Sequence, residues 1–230
     1  MTAYEFKSGR KQRGLKQVEA AKRLGVSQPY LALLENGKRE LTPTLVRKAA
    51  RLFQLPPTVL PLREPPRNAD AQTLAGQLAS LGYPGFAYMR LARKRNPAEV
   101  LLAALAQDEL ESRLAEALPW LLLRYSDMDQ QWLVAQARLG NLSNRLGFVV
   151  TLAKGVLVNR GENNSSRYQT LLQLEDQLQE SRLDREDTLC QASLSGSEQK
   201  WLRQTRPPEA AAWHLLTDWR PEHLQYASYA

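Results

Sequence analysis

The chain is poor in the residues and patterns that would place it in several common protein classes. Its 230 residues include a single cysteine, which excludes an intrachain disulfide framework. No apolar run approaches the roughly 18 residues that are needed to cross a bilayer. The first residues, MTAYEFKSGRKQRG, lack the apolar core of a secretory signal. We therefore expect a cytoplasmic protein with no membrane partner.

Sequence motifs that would indicate catalysis or metal binding are also missing. The two histidines, His214 and His223, do not form an H-E-x-x-H pair, and the chain has neither a G-x-x-x-x-G-K-[ST] loop nor a G-x-S-x-G elbow. Cys190, with only distant histidines along the chain, does not make a nucleophile site. We predict no catalytic residue, no metal site and no cofactor, and we do not expect an enzyme.

Positive charge is concentrated in the first quarter of the chain. Residues 1–66 contain 13 Lys and Arg against 5 Asp and Glu, whereas residues 67–230 contain 18 against 19. The net charge is therefore +8 before the end of the proline cluster PPTVLPLREPPR and −1 after it. This division predicts two domains, 1–66 and 67–230, of which the first binds a polyanion. A charged surface without a partner would have the same composition.

Local signals divide the first 66 residues into several short helices. Val18, Ala21 and Leu24 are interpreted as an apolar stripe on the second of them, and Gly25 follows where that helix should stop. Ser27 is a side-chain cap and Pro29 lies in the first turn of the third helix. The helices are expected at 4–13, 17–24, from Ser27 to about residue 35 and at 43–53, with a short fifth segment near 55–60. Two short helices joined by a tight glycine turn form a helix-turn-helix.

The stretch GLKQVEAAKRLGVSQPYLALLENGKRELTPTLVRKAARLF resembles the Cro and phage-repressor (XRE) family of helix-turn-helix DNA-binding domains. The resemblance covers residues 5 to about 60. It rests on nine residues at the spacings of the family: Gln17, Ala21, Gly25, Val26, Ser27, Leu34, Glu35, Asn36 and Gly37. It implies a compact bundle of four to five helices whose third helix enters the major groove of double-stranded DNA.

By this resemblance, the side chains that face the bases are Gln28, Pro29, Ala32 and Leu33. Gln28 is able to bind adenine through two hydrogen bonds, a contact worth about 1 to 3 kcal/mol of discrimination. Ala32 and Leu33 have no hydrogen-bonding groups, which departs from the polar face usual in the family. Readout is therefore expected to depend on thymine methyl groups and on DNA shape, and the operator sequence is not determined.

The resemblance also implies a set of phosphate contacts around the third helix. The positive end of the second helix points at a phosphate, with Gln17 adding a side-chain donor. Tyr30 is expected to reach phosphate through its hydroxyl, although a packed aromatic is the alternative. Lys38 and Arg39 follow the third helix, and the backbone amides of Asn36 and Gly37 are expected to join them. Arg10 and Glu35 resemble an internal ion pair of the family and are excluded from the DNA site.

Residues 67–230 are predicted to be mainly helical. One helix opens at Asn96, continues into the apolar run 100–106 and should be buried on all sides. Further helices are expected at 110–119, ending at Pro119, from Ser126 onward, at 168–180 and from Pro208 to about 219. Gly140, Gly147 and Gly155 interrupt a segment that is ambiguous between helix and strand; close packing of small residues on a helix would explain them.

Several features of residues 67–230 leave a function open. All five tryptophans lie there, and they indicate either a core or an aromatic ligand pocket or protein interface. The run Arg93 to Arg95 either extends the DNA footprint or is a solvated loop. Six acidic residues would suit a basic partner or an exposed helix face: Glu175, Asp176, Glu180, Asp184, Glu186 and Asp187.

Together these patterns predict an all-α protein with an N-terminal helix-turn-helix bundle and a larger, mainly helical C-terminal domain. We expect a sequence-specific transcriptional regulator, a repressor that acts as a homodimer on a palindromic operator with half-sites about 10 bp apart. The second domain would dimerise, hold a cognate toxin as an autoregulating antitoxin does, or receive a ligand or peptide. A DNA-targeted enzyme with metal on Glu175 and Asp184 is the disfavoured alternative.

Overall fold

A computed structural model describes residues 1–65, 69–90 and 92–227. The chain divides into two compact units, Met1–Arg63 and Glu64–Ala230. Over the described residues it contains twelve α-helices, and its regular strands amount to one pair of two-residue segments. The predicted all-α class is confirmed. None of the described helices combines the length and the apolar content that a membrane span requires.

Four helices and a 3-10 turn make up the first unit. They are α1 (Ala3–Gln12), α2 (Gln17–Leu24), α3 (Gln28–Glu35), α4 (Pro43–Phe53) and the turn Pro57–Val59. The side chains of Thr2, Ser27 and Thr42 each accept a hydrogen bond from the backbone three residues later, which fixes where α1, α3 and α4 begin. All four helices agree with the sequence prediction to within one residue; these caps account for the starts of α1, α3 and α4, and Gly25 ends α2 as predicted.

The core of the first unit is built from one face of each helix. Phe6 of α1 and Phe53 of α4 meet edge to face with ring centroids 5.5 Å apart. The expectation that Val18 belongs to the apolar stripe of α2 is wrong, because its side chain is 69% exposed. Residues six positions apart are rotated by about 120° on a helix, so Val18 and Leu24 do not share a face. Ala20 and Ala21 complete the buried face instead.

The second unit contains eight helices within its described residues. Their bounds are α5 (Ala71–Leu81), α6 (Pro97–Leu105), α7 (Ser112–Arg124), α8 (Gln130–Leu139), α9 (Ser143–Asn159), α10 (Ser166–Gln179), α11 (Gly196–Thr205) and α12 (Pro208–Ala212). Strands β1 (Asp187–Thr188) and β2 (Leu215–Leu216) pair in parallel, and 3-10 turns lie at Pro84–Phe86 and Pro221–His223. As expected, the α6 residues from Val100 to Leu105 are buried on every side.

Helix α9 is the central element of the second unit, and it resolves the segment that the sequence left ambiguous. It is a 17-residue helix that packs against α7 and α10. A Cβ atom on Gly147 would lie 2.4 Å from the ring of Trp213, and one on Gly155 would lie 2.4 Å from Pro221 Cγ. Both glycines are therefore needed for close approach, which confirms the packing interpretation.

Three expected helix limits in the second unit are wrong. Helix α7 continues through Pro119 to Arg124, because the turns on both sides of the proline are buried against the core and outweigh the lost N–H. Asp129, rather than Ser126, caps α8 and accepts a hydrogen bond from Trp132 N at 2.9 Å. The last helix stops at Ala212, since the chain turns at His214 and enters β2.

A buried arginine joins distant segments of the second unit. Arg145 of α9 pairs with Asp187 at 2.9 Å and donates to the carbonyl oxygens of Leu105 and Gln107, both at 2.9 Å. The thiol of Cys190 lies 3.6 Å from the same guanidinium, and burial raises its pKa to about 11. Cys190 is therefore a protonated core residue.

Candidate nucleic-acid interface

The turn between α2 and α3 sets the angle of the two helices. Gly25 ends α2 in the left-handed conformation with φ of 75°, and its N–H donates to the carbonyl oxygen of Ala21. Ala21 is buried where the helices meet, as its small size predicts. Leu31 and Leu34 are buried on the inner face of α3, and Val26 packs partly buried against the same core. This packing leaves the opposite face of α3 turned outward.

The four residues predicted to face the bases lie together on that outer face of α3. Pro29 is exposed and Leu33 is 37% exposed, whereas Gln28 and Ala32 are half-buried. The structure thus places them on one side of the helix, where they form a surface of mostly apolar atoms. With one amide among four residues, this surface offers few hydrogen bonds and several methyl or methylene contacts, which suits thymine methyl groups.

A chain of hydrogen bonds runs from the interior of the first unit to Gln28. Arg10 forms an ion pair with Glu35 in which Nη2 lies 3.0 Å from Oε2, and both side chains are almost fully buried. The side-chain amide of Gln17 donates to the same Oε2 at 2.9 Å. Gln28 Nε2 then donates to Gln17 Oε1 at 2.9 Å. The internal ion pair is confirmed, and Gln17 links it to Gln28 on the outer face of α3.

The ion pair keeps Glu35 charged despite its burial. Burial by itself raises the pKa of this carboxyl, but hydrogen bonds from Arg10 and Gln17, together with the positive charge of Arg10, lower its pKa below the ordinary value of 4.5. A carboxylate accepts hydrogen bonds and donates none. Gln17 must therefore present its NH2 group to Glu35, which leaves its carbonyl oxygen to accept from Gln28.

This arrangement leaves Gln28 able to make the predicted two-bond contact with adenine. The Nε2 group carries two hydrogens, and Gln17 uses one of them. The second hydrogen and Oε1 remain for adenine N7 and N6, the pair of groups that a glutamine reads in the major groove. Holding the side chain in advance reduces the rotamer entropy that binding would otherwise lose. The sequence predicted the contact but gave no signal of the bond to Gln17.

The first turn of α2 is open at its positive end. Its cap residue, Lys16, makes no side-chain hydrogen bond to the helix, in contrast to the capped starts of α1, α3 and α4. Gln17 is half-buried and Val18 is exposed in the same turn. The backbone N–H groups of this turn are thus oriented as an anion requires. Because one hydrogen and the oxygen of the Gln17 amide are engaged inside the protein, its second hydrogen remains for the predicted phosphate contact, beside the backbone N–H groups of this turn.

In the segment after α3, side chains rather than backbone N–H groups are available to bind phosphate. The N–H groups of Asn36 and Gly37 donate to Ala32 O and Leu34 O, both at 3.1 Å, and close the end of α3. The expectation that these two amides bind phosphate is therefore wrong, and Gly37, with φ of 69°, serves the turn. The side chains of Lys38 and Arg39 are exposed and remain the predicted phosphate ligands.

Two further predicted contributors have structural contacts. Tyr30 is half-buried and packs against the core of the first unit, which is the packed-aromatic alternative. Arg13, one of the 13 Lys and Arg of residues 1–66, donates from Nε to Phe53 O at 3.0 Å. Its exposed guanidinium still contributes positive charge while it fastens α1 to the end of α4.

Features of the second unit do not form a comparable site. Of the six acidic residues, Glu175 pairs with Lys154, Glu186 with Arg203 and Arg206, and Asp187 with Arg145, so they do not make an open acidic patch. The charged run from Arg93 to Arg95 is exposed in the loop before α6, and Arg95 lies 3.7 Å from Glu99. Over the described residues, no three His, Cys, Asp or Glu side chains are grouped as metal ligands.

The tryptophans have different environments. Trp120 and Trp213 are buried in the core, Trp132 and Trp219 are half-buried, and Trp201 is mostly exposed. Trp120 belongs to an aromatic cluster with Tyr83 and Tyr125. Core packing thus accounts for two of the five, and Trp219 lines a cleft that is described below.

Comparison with known proteins agrees with the geometry of the first unit. The profile of the helix-turn-helix family matches residues 6–60, which span α1 to the 3-10 turn. No curated protein and no solved structure matches the chain. The match, the two-helix turn and the exposed face of α3 lead to one conclusion: residues 6–60 are a helix-turn-helix DNA-binding domain of the Cro and phage-repressor (XRE) type.

Proposed function

We propose that the protein is a sequence-specific transcriptional repressor that binds a palindromic operator as a homodimer. The observation that supports this most directly is the outward face of α3, on which Gln28 is held by Gln17 and, through it, by the buried ion pair. A side chain positioned in this way reads a base edge better than a freely rotating one does. Repression follows when the bound protein occludes a promoter.

Dimer formation is proposed because a single module of this size buries little surface on DNA. One such domain covers about 600 to 1,000 Å² of protein surface, below what nanomolar operators usually require. Linking two modules raises the effective concentration of the second and gives higher affinity without new contacts. The second unit is large enough to hold two copies together, and the half-sites would lie about 10 bp apart.

The base-reading role of Gln28 is tested by selecting binding sites from a random duplex pool with the wild-type chain and with Gln28→Ala. We expect the variant to lose its preference at one position of each half-site, about 5- to 150-fold, with nonspecific binding nearly unchanged. Gln173→Ala, an exposed glutamine of α10, is the matched control. An equal loss of affinity for every sequence would contradict the role.

The dimer and the repressor activity are tested on the selected operator. Nuclease footprinting should show two protected half-sites related by a two-fold axis, and sedimentation should give two chains per duplex. A promoter that contains this operator should be less active when the protein is present. One chain on one half-site would refute the dimer, and promoter activation would refute repression.

We propose two alternative functions for the second unit, binding of a toxin and binding of a ligand. The antitoxin setting was suggested by the acidic residues, three of which are engaged in ion pairs within the unit. The ligand-responsive setting is favoured by a cleft in the second unit. Purification of the chain with its neighbouring gene product distinguishes them: a stoichiometric complex supports an antitoxin, whereas operator affinity that changes with a small molecule supports a sensor.

A further inference from the structure

A cleft of about 360 Å³ opens on the surface of the second unit. It lies between α9 and α10, and the start of α12 and the segment 219–222 form its other side. Its volume falls in the lower part of the range of about 300 to 1,000 Å³ that is typical of small-molecule sites. Pro221 lies directly over Gly155 of α9, so the segment 219–222 is fixed in place as a wall.

The walls of the cleft are largely apolar and aromatic. Phe148 and Leu152 of α9 are buried at its base, and Tyr168 of α10 and Trp219 are half-buried at its sides. Val158 is exposed at its mouth. Aromatic side chains bind planar apolar groups through their faces, and they also attract cations. The body of a matching ligand is therefore small, apolar and preferably planar.

The one lysine in the cleft already has its charge neutralised. Lys154 forms an ion pair with Glu175, its Nζ lies 5.6 Å from the centroid of the Tyr168 ring, and the two charged side chains are 15% and 14% exposed. The Thr151 hydroxyl donates to Glu175 at 2.5 Å and accepts from Trp213 Nε1 at 2.8 Å. An anionic ligand that drew Lys154 away would leave Glu175 buried without its partner, which is costly.

The charges that remain around the cleft are predominantly negative. Glu209 and Glu222 lie on its rim with one guanidinium, that of Arg220. Glu222 accepts a hydrogen bond from Asn159 Nδ2 at 3.1 Å. Its own backbone N–H, then Asn159 and the positive charge of Arg220 hold the pKa of this carboxyl below its ordinary value, so it is ionised at neutral pH. The rim therefore favours a positively charged group.

We propose that this cleft binds a small organic cation, an amine on a planar apolar body, with the body against the half-buried rings of Trp219 and Tyr168 and the amine at Glu222 and Glu209. This inference deepens the ligand-responsive alternative for the second unit. It does not depend on DNA binding by the first unit, and its test contains no DNA, so the failure of one is distinguishable from the failure of the other.

The test compares three probes of similar shape and different charge: 2-phenylethylamine, 2-phenylethanol and 3-phenylpropionate. The full-length chain is labelled with ¹⁵N, and the indole N–H signal of Trp219 is assigned from its absence in Trp219→Phe. We expect the amine to shift this signal saturably at millimolar concentration or below. The alcohol should bind more weakly, and the carboxylate about tenfold more weakly than the amine.

Variants of the rim residues distinguish the contribution of charge to amine binding from any effect on folding. Glu222→Gln should weaken amine binding roughly three- to fivefold, and Glu209→Gln should do the same. Glu180→Gln, an exposed carboxylate at the end of α10, should leave the affinity within about twofold. The indole signals of Trp120 and Trp213 report whether each variant remains folded. A carboxylate that binds as tightly as the amine, or no saturable shift with any probe, would overturn the proposal.

Discussion

Replacing Arg10 by methionine should destabilise the first unit by about 3 to 5 kcal/mol, because it leaves the Glu35 carboxylate buried without its cation. The side chains of both residues are nearly inaccessible to water, at 8% and 1% exposure, so solvent cannot compensate for the loss. Gln17 would still donate one hydrogen bond to Glu35. A unit of this size has a stability of only about 3 to 9 kcal/mol, so the predicted loss is large enough to unfold a measurable fraction.

Hydrogen exchange on the full-length chain measures this change. Peptides from α1 to α4 should lose protection by roughly 100- to 4,000-fold, the range that corresponds to the predicted free energy. Because all five tryptophans lie in the second unit, their fluorescence provides an internal control that should not change. The double variant Arg10→Met with Glu35→Leu should recover most of the protection, since an apolar pair replaces both charges.

The two variants also separate stability from DNA readout. In the double variant Gln17 has lost its anchor, so Gln28 should read its base position less selectively even though the unit is folded. Two results would refute the claim that an unpaired Glu35 carboxylate destabilises the unit. One is a loss of hydrogen-exchange protection below tenfold in Arg10→Met, and the other is a double variant as unstable as the single one.

The pH dependence of the same unit follows from the lowered pKa of Glu35. A carboxyl whose pKa is lower in the folded than in the unfolded chain contributes stability above the unfolded value of 4.5, and this stability is lost as the pH falls through the folded value. Acid should therefore destabilise α1 to α4 in the wild type. The double variant lacks this carboxyl. Its hydrogen-exchange protection should therefore decrease less than that of the wild type as the pH is lowered from 6 into the acid range.

Three further outcomes follow from single positions. Lys38→Ala should weaken binding to every duplex and reduce the slope of log affinity against log salt by about one, and an unchanged slope would remove Lys38 from the interface. Gly147→Ala should destabilise the second unit by about 1 to 3 kcal/mol in urea unfolding, because the added Cβ meets Trp213, whereas Gly196→Ala meets no atom within 4 Å and should cost nothing. Cys190 should not react with a disulfide reagent at pH 8 until the chain unfolds, given its burial and a pKa of about 11; rapid reaction of the folded chain would contradict its position in the core.

Helix starts were predictable where the signal was local. Ser27, Thr42 and Asn96 each accept a hydrogen bond from a backbone N–H two or three residues later, so the residues that define the start of the helix are adjacent in the sequence. Pro119 shows where such signals fail. Its missing N–H predicts a helix end, but burial against the rest of the second unit stabilises the helix through that point.

The candidate site was predictable in its membership but not in its internal bonds. Gln28, Ala32 and Leu33 share a face by helical periodicity, which requires no tertiary information. The bond from Gln28 to Gln17 joins two helices, and the bond from Gln17 to Glu35 spans 18 positions. No local pattern encodes these contacts, so the sequence predicted a phosphate contact for Gln17 without the two bonds that hold its amide inside the protein.

The hydrogen bond between Gln17 and Gln28 has a consequence for grafting α3 residues onto other regulators and for the evolution of such domains. Under the proposed base-reading role, moving the outward positions of α3 into another regulator would transfer their base preference only if the recipient also supplied a glutamine at the start of its second helix and a buried acid at the end of its third. On that proposal, DNA sequence preference belongs to the pair of helices together, and a change at position 17 is expected to alter operator choice without replacing any of the four residues predicted to face the bases.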